Sequence, residues 1–144
     1  MLGIVKGGYM DVLAHFRGAR NAVTMPRGAV IFAEGEDGGN MFVLIQGRAD
    51  ISVGGEVLES AVPGSLLGEM ALVSSAPRSA TVVASTECKL VPVDVKQFDL
   101  LARESPEFAR HVMTVMASRL RHTNERLREA LKEIGVRGGG RRSR

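Results

Sequence analysis

Three features of the sequence predict a mainly β domain with flanking helices, built as a sandwich or a jelly roll. Between about residues 20 and 93 the runs AVIFAEGE, NMFVLIQG, ADISVGG, EVLESAV, RSATVVAS and CKLVPV follow one another, each short and β-rich, with Gly, Pro, Asp and Asn between them. No long helical pattern interrupts them, so the strands must pair among themselves into packed sheets. Helical spacing of apolar residues returns only near the two ends, and 144 residues are enough for one core and too few for two.

Taken in order, Tyr9, Val12, Leu13 and Phe16 recur at helical spacing before Gly18 and predict a short amphipathic N-terminal helix. Within the β region, VGGE supplies the glycines of a tight hairpin. In TECKLVPV the alternation points Cys88 and Leu90 the same way, so the thiol is expected to be buried. A single cysteine excludes an intrachain disulfide and a cysteine-based metal cluster. After Pro92, Asp94 with Gln97 three residues on reads as a capping box, for a helix carrying Phe98, Leu100 and Leu101 toward the core. Ser105 then caps a second helix with Pro106 at its first position, and the two C-terminal helices fill about residues 94–134. Along the second, Met113, Met116, Leu120, Thr123, Leu127, Ala130 and Ile134 alternate steps of three and four. That is the seam of a helix that pairs with another helix, and it predicts a parallel homodimer.

The basic balance of the chain is local. Four of the 19 Lys and Arg lie in the last eight residues, RGGGRRSR, leaving 15 against 16 Asp and Glu, so a nucleic-acid-binding surface is not a property of the body. Residues 136–144 read as a disordered Gly/Arg tail after a domain over 1–135. No apolar run, Met41 to Ile45 included, is long enough to cross a bilayer, and MLGIVKGGYM lacks the apolar core of a signal peptide, so a cytoplasmic location with no membrane segment is expected.

The densest punctuation is GEMALVSSAPRSATV, from Gly68 to Val82. A flexible glycine, a carboxylate, a short apolar turn with N–H groups at its start and a lone arginine entering a strand together suggest a small anionic ligand. With GAVIFAEGEDGGNMFVLIQGRADI, from Gly28 to Ile51, and its turn glycines Gly35 and Gly47, this stretch resembles the cyclic-nucleotide-binding domain of catabolite activators, cyclic-nucleotide-gated channels and kinase regulatory subunits. Its second block is similar to that family's phosphate-binding cassette, in Gly68, Glu69, Ala71, Leu72, Pro77, Arg78, Ala80 and Thr81. The resemblance covers nearly the whole chain. It implies a jelly roll, or double-stranded β-helix, with a short N-terminal helix, a short cassette helix and a long C-terminal helix, and a cyclic nucleotide as ligand with no cofactor.

The chemistry fits that implication. A guanidinium meets two exocyclic oxygens of a cyclic phosphate with paired hydrogen bonds, which suits Arg78. The backbone N–H groups of Ala71 and Leu72 add donors, Gly68 lets the backbone come close, and the Glu69 carboxylate can accept from the ribose 2′-hydroxyl. By resemblance Ser79 touches a phosphate oxygen, and Arg119 aligns with a helix arginine near the ribose-binding glutamate. Thr123 and Asn124 fall where the catabolite activators place consecutive hydroxyl residues on adenine, one of them across a dimer; Asn124 stands in place of a serine. Both side chains can serve adenine N6 or guanine O6. The serine at position 79, where the family's cGMP binders tend to carry threonine, turns the expectation to cAMP, with cGMP the alternative.

A catabolite activator continues into a helix-turn-helix, whereas this sequence ends at Arg144. The expectation is a second-messenger sensor with no DNA-binding element and no output domain of its own, whose output is an unknown protein partner, a change of oligomer or buffering of the nucleotide. A metal-dependent jelly-roll enzyme of cupin or phosphodiesterase type would need clustered ligands, yet His15, His111 and His122 are scattered and no metal site is expected. The pairing of His122 with Glu125 in HTNE gives two ligands and no third. A dimerisation module with an empty pocket is the remaining alternative, against which the intact Glu69 and Arg78 argue.

Overall fold

The computed structural model describes residues 5–6 and 9–137. The chain divides into two compact units, one through Val112 and one from Met113. In the first, a hairpin of β1 (Val5–Lys6) and β2 (Tyr9–Met10) precedes helix α1 (Val12–Phe16). Tyr9 therefore lies outside the helix its spacing had suggested, and pairs with Lys6. The cause is Asp11, whose extended backbone (φ −84°, ψ 92°) sets the N-cap and whose carboxylate accepts from Ala14 N–H at 3.1 Å.

Eight strands follow: β3 (Val23–Met25), β4 (Val30–Phe32), β5 (Asn40–Gln46), β6 (Ala49–Val53), β7 (Glu56–Ala61), β8 (Leu66–Leu67), β9 (Thr81–Ala84) and β10 (Cys88–Asp94). They form two four-stranded sheets, ordered β3-β10-β5-β8 and β4-β9-β6-β7, with every pairing antiparallel. The pairs β3·β10, β4·β9, β5·β8 and β6·β7 describe one long ribbon doubled back on itself. The additional ladders β5·β10 and β6·β9 roll that ribbon up, which makes the fold a jelly roll and not a simple sandwich. At the fold of the ribbon, Gly54 (φ 58°) and Gly55 (φ 84°) are both left-handed, as a two-residue hairpin turn with the right twist requires.

Between the sheets sit Phe32, Leu44, Ala49, Ala61, Leu67, Val82, Ala84, Cys88 and Leu90. Cys88 and Leu90 are both buried, as their alternation predicts, and burial pushes the Cys88 thiol above its ordinary range. Gly47 (φ 94°) closes the β5–β6 turn so tightly that a Cβ there would collide with the Glu87 carbonyl.

Helix α2 (Glu69–Ser74) lies between β8 and β9, on the returning limb of the ribbon. After β10 come α3 (Val95–Glu104) and α4 (Pro106–Arg137). The capping box forms: Gln97 N–H donates to Asp94 Oδ1 at 2.9 Å, and Asp94 N–H to Gln97 Oε1 at 3.2 Å. Ser105 Oγ accepts from Phe108 N–H at 3.2 Å and starts α4. Phe108 is fully buried and meets Phe98 edge-on at 5.7 Å and Phe16 at 6.4 Å. Leu100 is 48% exposed, against expectation. Phe98 and Leu101 share a helix face at a spacing of three, and Leu100, two residues past Phe98, falls on the other side.

The second unit holds α4 from Met113 onward, and the rest of the Gly/Arg tail, from residue 138, lies outside the described residues. Met113, Leu120, Leu127 and Ile134 of the expected seam are all more than half exposed, and so is Leu131 beside it.

Candidate functional site

The site begins where β8 ends. Gly68 adopts a left-handed backbone (φ 80°, ψ 17°) at the N-cap of α2, and the conformation brings its Cα against Arg78 and Phe32. A Cβ there would run into Arg78 Nη1 and lie 3.1 Å from Phe32 Cε2. Glu69, the first residue of the helix, is 2% exposed, an unusual burial for a carboxylate. The helix ends at Ser75, a non-glycine left-handed residue (φ 59°) whose N–H donates to Ala71 O at 3.1 Å.

From Ser75 the chain runs without regular structure to Arg78, which is 8% exposed. Its backbone is held by the β4–β5 loop on both sides: Arg78 N–H donates to Glu36 O at 2.8 Å, and Gly35 N–H donates to Arg78 O at 2.9 Å. Farther along, Thr81 Oγ1 accepts from Glu34 N–H at 2.9 Å, so Thr81 serves the strand junction. The guanidinium carbon lies 4.0 Å from the centroid of the Phe32 ring. Gly38 presses from the same loop; a Cβ on it would stand 3.2 Å from Arg78 Cζ and Nε and 2.5 Å from Ala71 Cβ.

The hydrogen bonding of this cation is thin. Nη1 reaches the Gly68 carbonyl only at 3.5 Å, and Nε is buried with no partner. Burial lowers the Arg78 pKa, and the charge of Glu36 opposes the shift. The Glu36 carboxylate meanwhile accepts from Ala33 N–H at 3.0 Å. An arginine stays protonated under such pressure. Its charge is thus held largely out of water with in-plane donors still open, an arrangement that favours an incoming anion.

Of the residues singled out from the sequence, the structure gathers Gly68, Ala71 and Arg78 around one point, with Glu69 buried beside them in the same turn. Ala71 N–H donates to Gly68 O at 3.2 Å, closing the first turn of α2. Leu72 is half-buried, and Ser79 is exposed with its hydroxyl toward Met70 Sδ at 3.9 Å. Thr123 and Asn124, both exposed, and half-buried Arg119 belong to the second unit. Phe32 and Gly38 were not anticipated. For Gly38 a signal existed, the glycine pair in EGEDGGN that a single turn glycine does not explain. For Phe32 there was none, because a buried aromatic in a strand reads as core.

Among the described residues no three His, Cys, Asp or Glu side chains are grouped as metal ligands, and no helix is long and apolar enough to cross a membrane.

Comparison with known proteins points one way. Residues 22–105 match the family model described as the cyclic nucleotide-binding domain. A cyclic nucleotide-gated potassium channel of Mesorhizobium japonicum is 41% identical over 98 residues, 68% of this chain and 27% of the channel. A CRP-like cAMP-activated global transcriptional regulator of Mycobacterium tuberculosis is 29% identical over 134 residues, 90% of this chain and 60% of the regulator. Among solved structures, the catabolite activator protein of Thermus thermophilus superposes with a TM-score of 0.69 at 25% identity, over 83% of this chain and 63% of that one. The chain spans about a quarter to three-fifths of the length of these curated relatives.

Proposed function

The chain belongs to the cyclic nucleotide-binding domain family, and from that premise we propose that it is a sensor of 3′,5′-cyclic nucleotides that prefers cAMP to cGMP. The observation that carries the reading is the Arg78 guanidinium, buried and with Nε unpartnered. Two exocyclic oxygens of a cyclic phosphate match its fork, and the single negative charge of the ligand balances a cation that water reaches poorly. Ser79 adds a hydroxyl to the phosphate, and the N-terminal amides of α2 at Ala71 and Leu72 line its approach. The Glu69 carboxylate takes the ribose 2′-hydroxyl at the turn opened by Gly68. Thr123 and Asn124 read the base.

The preference for cAMP rests on those two side chains and on serine at position 79, and the cAMP-activated regulator among the relatives supports it. The exposed apolar residues Met113, Leu120, Leu127 and Ile134 support a parallel homodimer through α4. The likeness to a channel and a transcriptional regulator supports a binding role, with a protein partner, a change of oligomer or buffering of the nucleotide as its output.

Isothermal calorimetry with cAMP, cGMP and 5′-AMP tests the reading. The expected order of affinity is cAMP, then cGMP, then 5′-AMP, whose open phosphate carries more charge and lacks the ring. Equal affinity for all three overturns it.

A further inference from the structure

Strand β4 contains an irregularity beside the site. Val30 pairs with Val83 and Phe32 with Val82, so two steps along β4 are matched by one along β9. Regular alternation would put Val30 and Phe32 on one face; instead Val30 is 54% exposed and Phe32 6%. The bulge turns Phe32 inward, where bulges beside functional sites commonly re-aim a side chain. There the ring stacks on Phe42 (6.2 Å between centroids, 24° between planes) and carries the Arg78 guanidinium at 4.0 Å.

We propose that Phe32 is a positioning residue for the ligand phosphate, holding the Arg78 guanidinium on its π face so that the charge is oriented without being neutralised. The inference rests on the cyclic-nucleotide reading above. A carboxylate in the place of the ring would fix the arginine by occupying its N–H groups and would then compete with the phosphate for them. A ring attracts the cation through its face and leaves every in-plane donor free. The open Nε and the long Nη1 contact to Gly68 are what such a support leaves behind. Gly38 covers the guanidinium from the β4–β5 loop with no side chain of its own, which limits how far the group can swing.

The test is a double-mutant cycle read by calorimetry with cAMP, using Phe32→Leu, Arg78→Gln and the double variant of the full chain. Phe32→Leu keeps an apolar core residue and removes the ring. It is expected to weaken cAMP binding roughly 3- to 30-fold, the range of a desolvated cation–π contact. In the Arg78→Gln background the same substitution is expected to change affinity less than twofold, roughly the limit of non-additivity for uncoupled sites. The Sp and Rp phosphorothioates of cAMP give a second readout, since a loosened guanidinium distinguishes the two exocyclic positions less sharply and a merely structural role leaves their ratio untouched. If Phe32→Leu does not fold, Phe32→Met, whose unbranched chain adapts to an irregular gap, takes its place in the cycle. Wild-type affinity in the ring-less variant, or an equal loss in both backgrounds with an unchanged Sp/Rp ratio, overturns the inference while cyclic-nucleotide binding stands. A wild-type chain that binds no cyclic nucleotide removes the reading and the inference together.

Discussion

The turn around Arg78 and the far stretch of α4 treat their chemistry in opposite ways. Around Arg78 the polar groups are inside: Glu69 is 2% exposed and Arg78 8%, and the arginine backbone is tied to Gly35 and Glu36. On α4 beyond Met113 the apolar groups are outside, with Leu120 at 61% and Ile134 at 62%. Both are inversions of the usual arrangement, and each marks a surface awaiting something. On the proposed reading the first receives a small anion in a setting already assembled, and the second meets an apolar surface with no such preparation.

The comparison breaks most sharply at Arg78. Truncating one member of a buried charged pair costs about 2–5 kcal/mol, so Arg78→Ala is expected to weaken cAMP binding roughly 30-fold or more. The ligand-free protein should stay folded, because the guanidinium adds little hydrogen bonding to the fold and its removal relieves a desolvated charge. Thermal melts check both halves. Wild type at about 100 times the dissociation constant gains about 2.7 kcal/mol, several degrees for a chain this size. Arg78→Ala should lose most of that gain at the same cAMP concentration. A variant that unfolds without ligand would make Arg78 a core residue, and the difference between the two regions would vanish.

A substitution on the other side should move self-association and leave the phosphate site alone. Leu120→Glu combined with Leu127→Glu places like charges on the exposed seam, and sedimentation is expected to shift from dimer to monomer. If wild type already sediments as a monomer with and without ligand, the apolar face awaits a different partner. The smallest effect is expected at Thr123→Ala, which removes one exposed hydroxyl. A loss of about 3- to 10-fold in cAMP affinity, with a narrowed ratio to cGMP and an unchanged melting temperature, fits one base contact of about 1 ± 0.5 kcal/mol. No change in either affinity assigns the base contact elsewhere.

What could be read beforehand divides along the same line. The cassette was legible because Gly68, Glu69, Ala71 and Arg78 lie within one short stretch, each residue type tied to a local task. The capping box at Asp94 and Gln97 was legible for the same reason. Phe32 was not, because its orientation depends on a register shift against β9, and its contact with Arg78 exists only once distant segments are paired. Leu100 misled because its apolarity outweighed its angle on the helix, and Tyr9 because a cap at Asp11 cut the helix short. Strand winding was partly open: short strands imply packed sheets, but only the pairings β5·β10 and β6·β9 distinguish a rolled ribbon from two flat layers.

The doubled ribbon also sets an order of events. Of the side-chain bonds that cross between its limbs, Ser60 to Asp50 joins residues 10 apart, Glu34 and Thr81, beside the arginine, are 47 apart, and Asn21 and Pro92, toward the open ends, are 71 apart. Closing a longer loop costs more entropy, and contacts of greater separation form more slowly. A chain that zips from the Gly54–Gly55 tip therefore reaches the arginine only after half its strands are paired. Until then the cation remains in water, and the buried setting that Arg78 has in the finished fold does not yet exist.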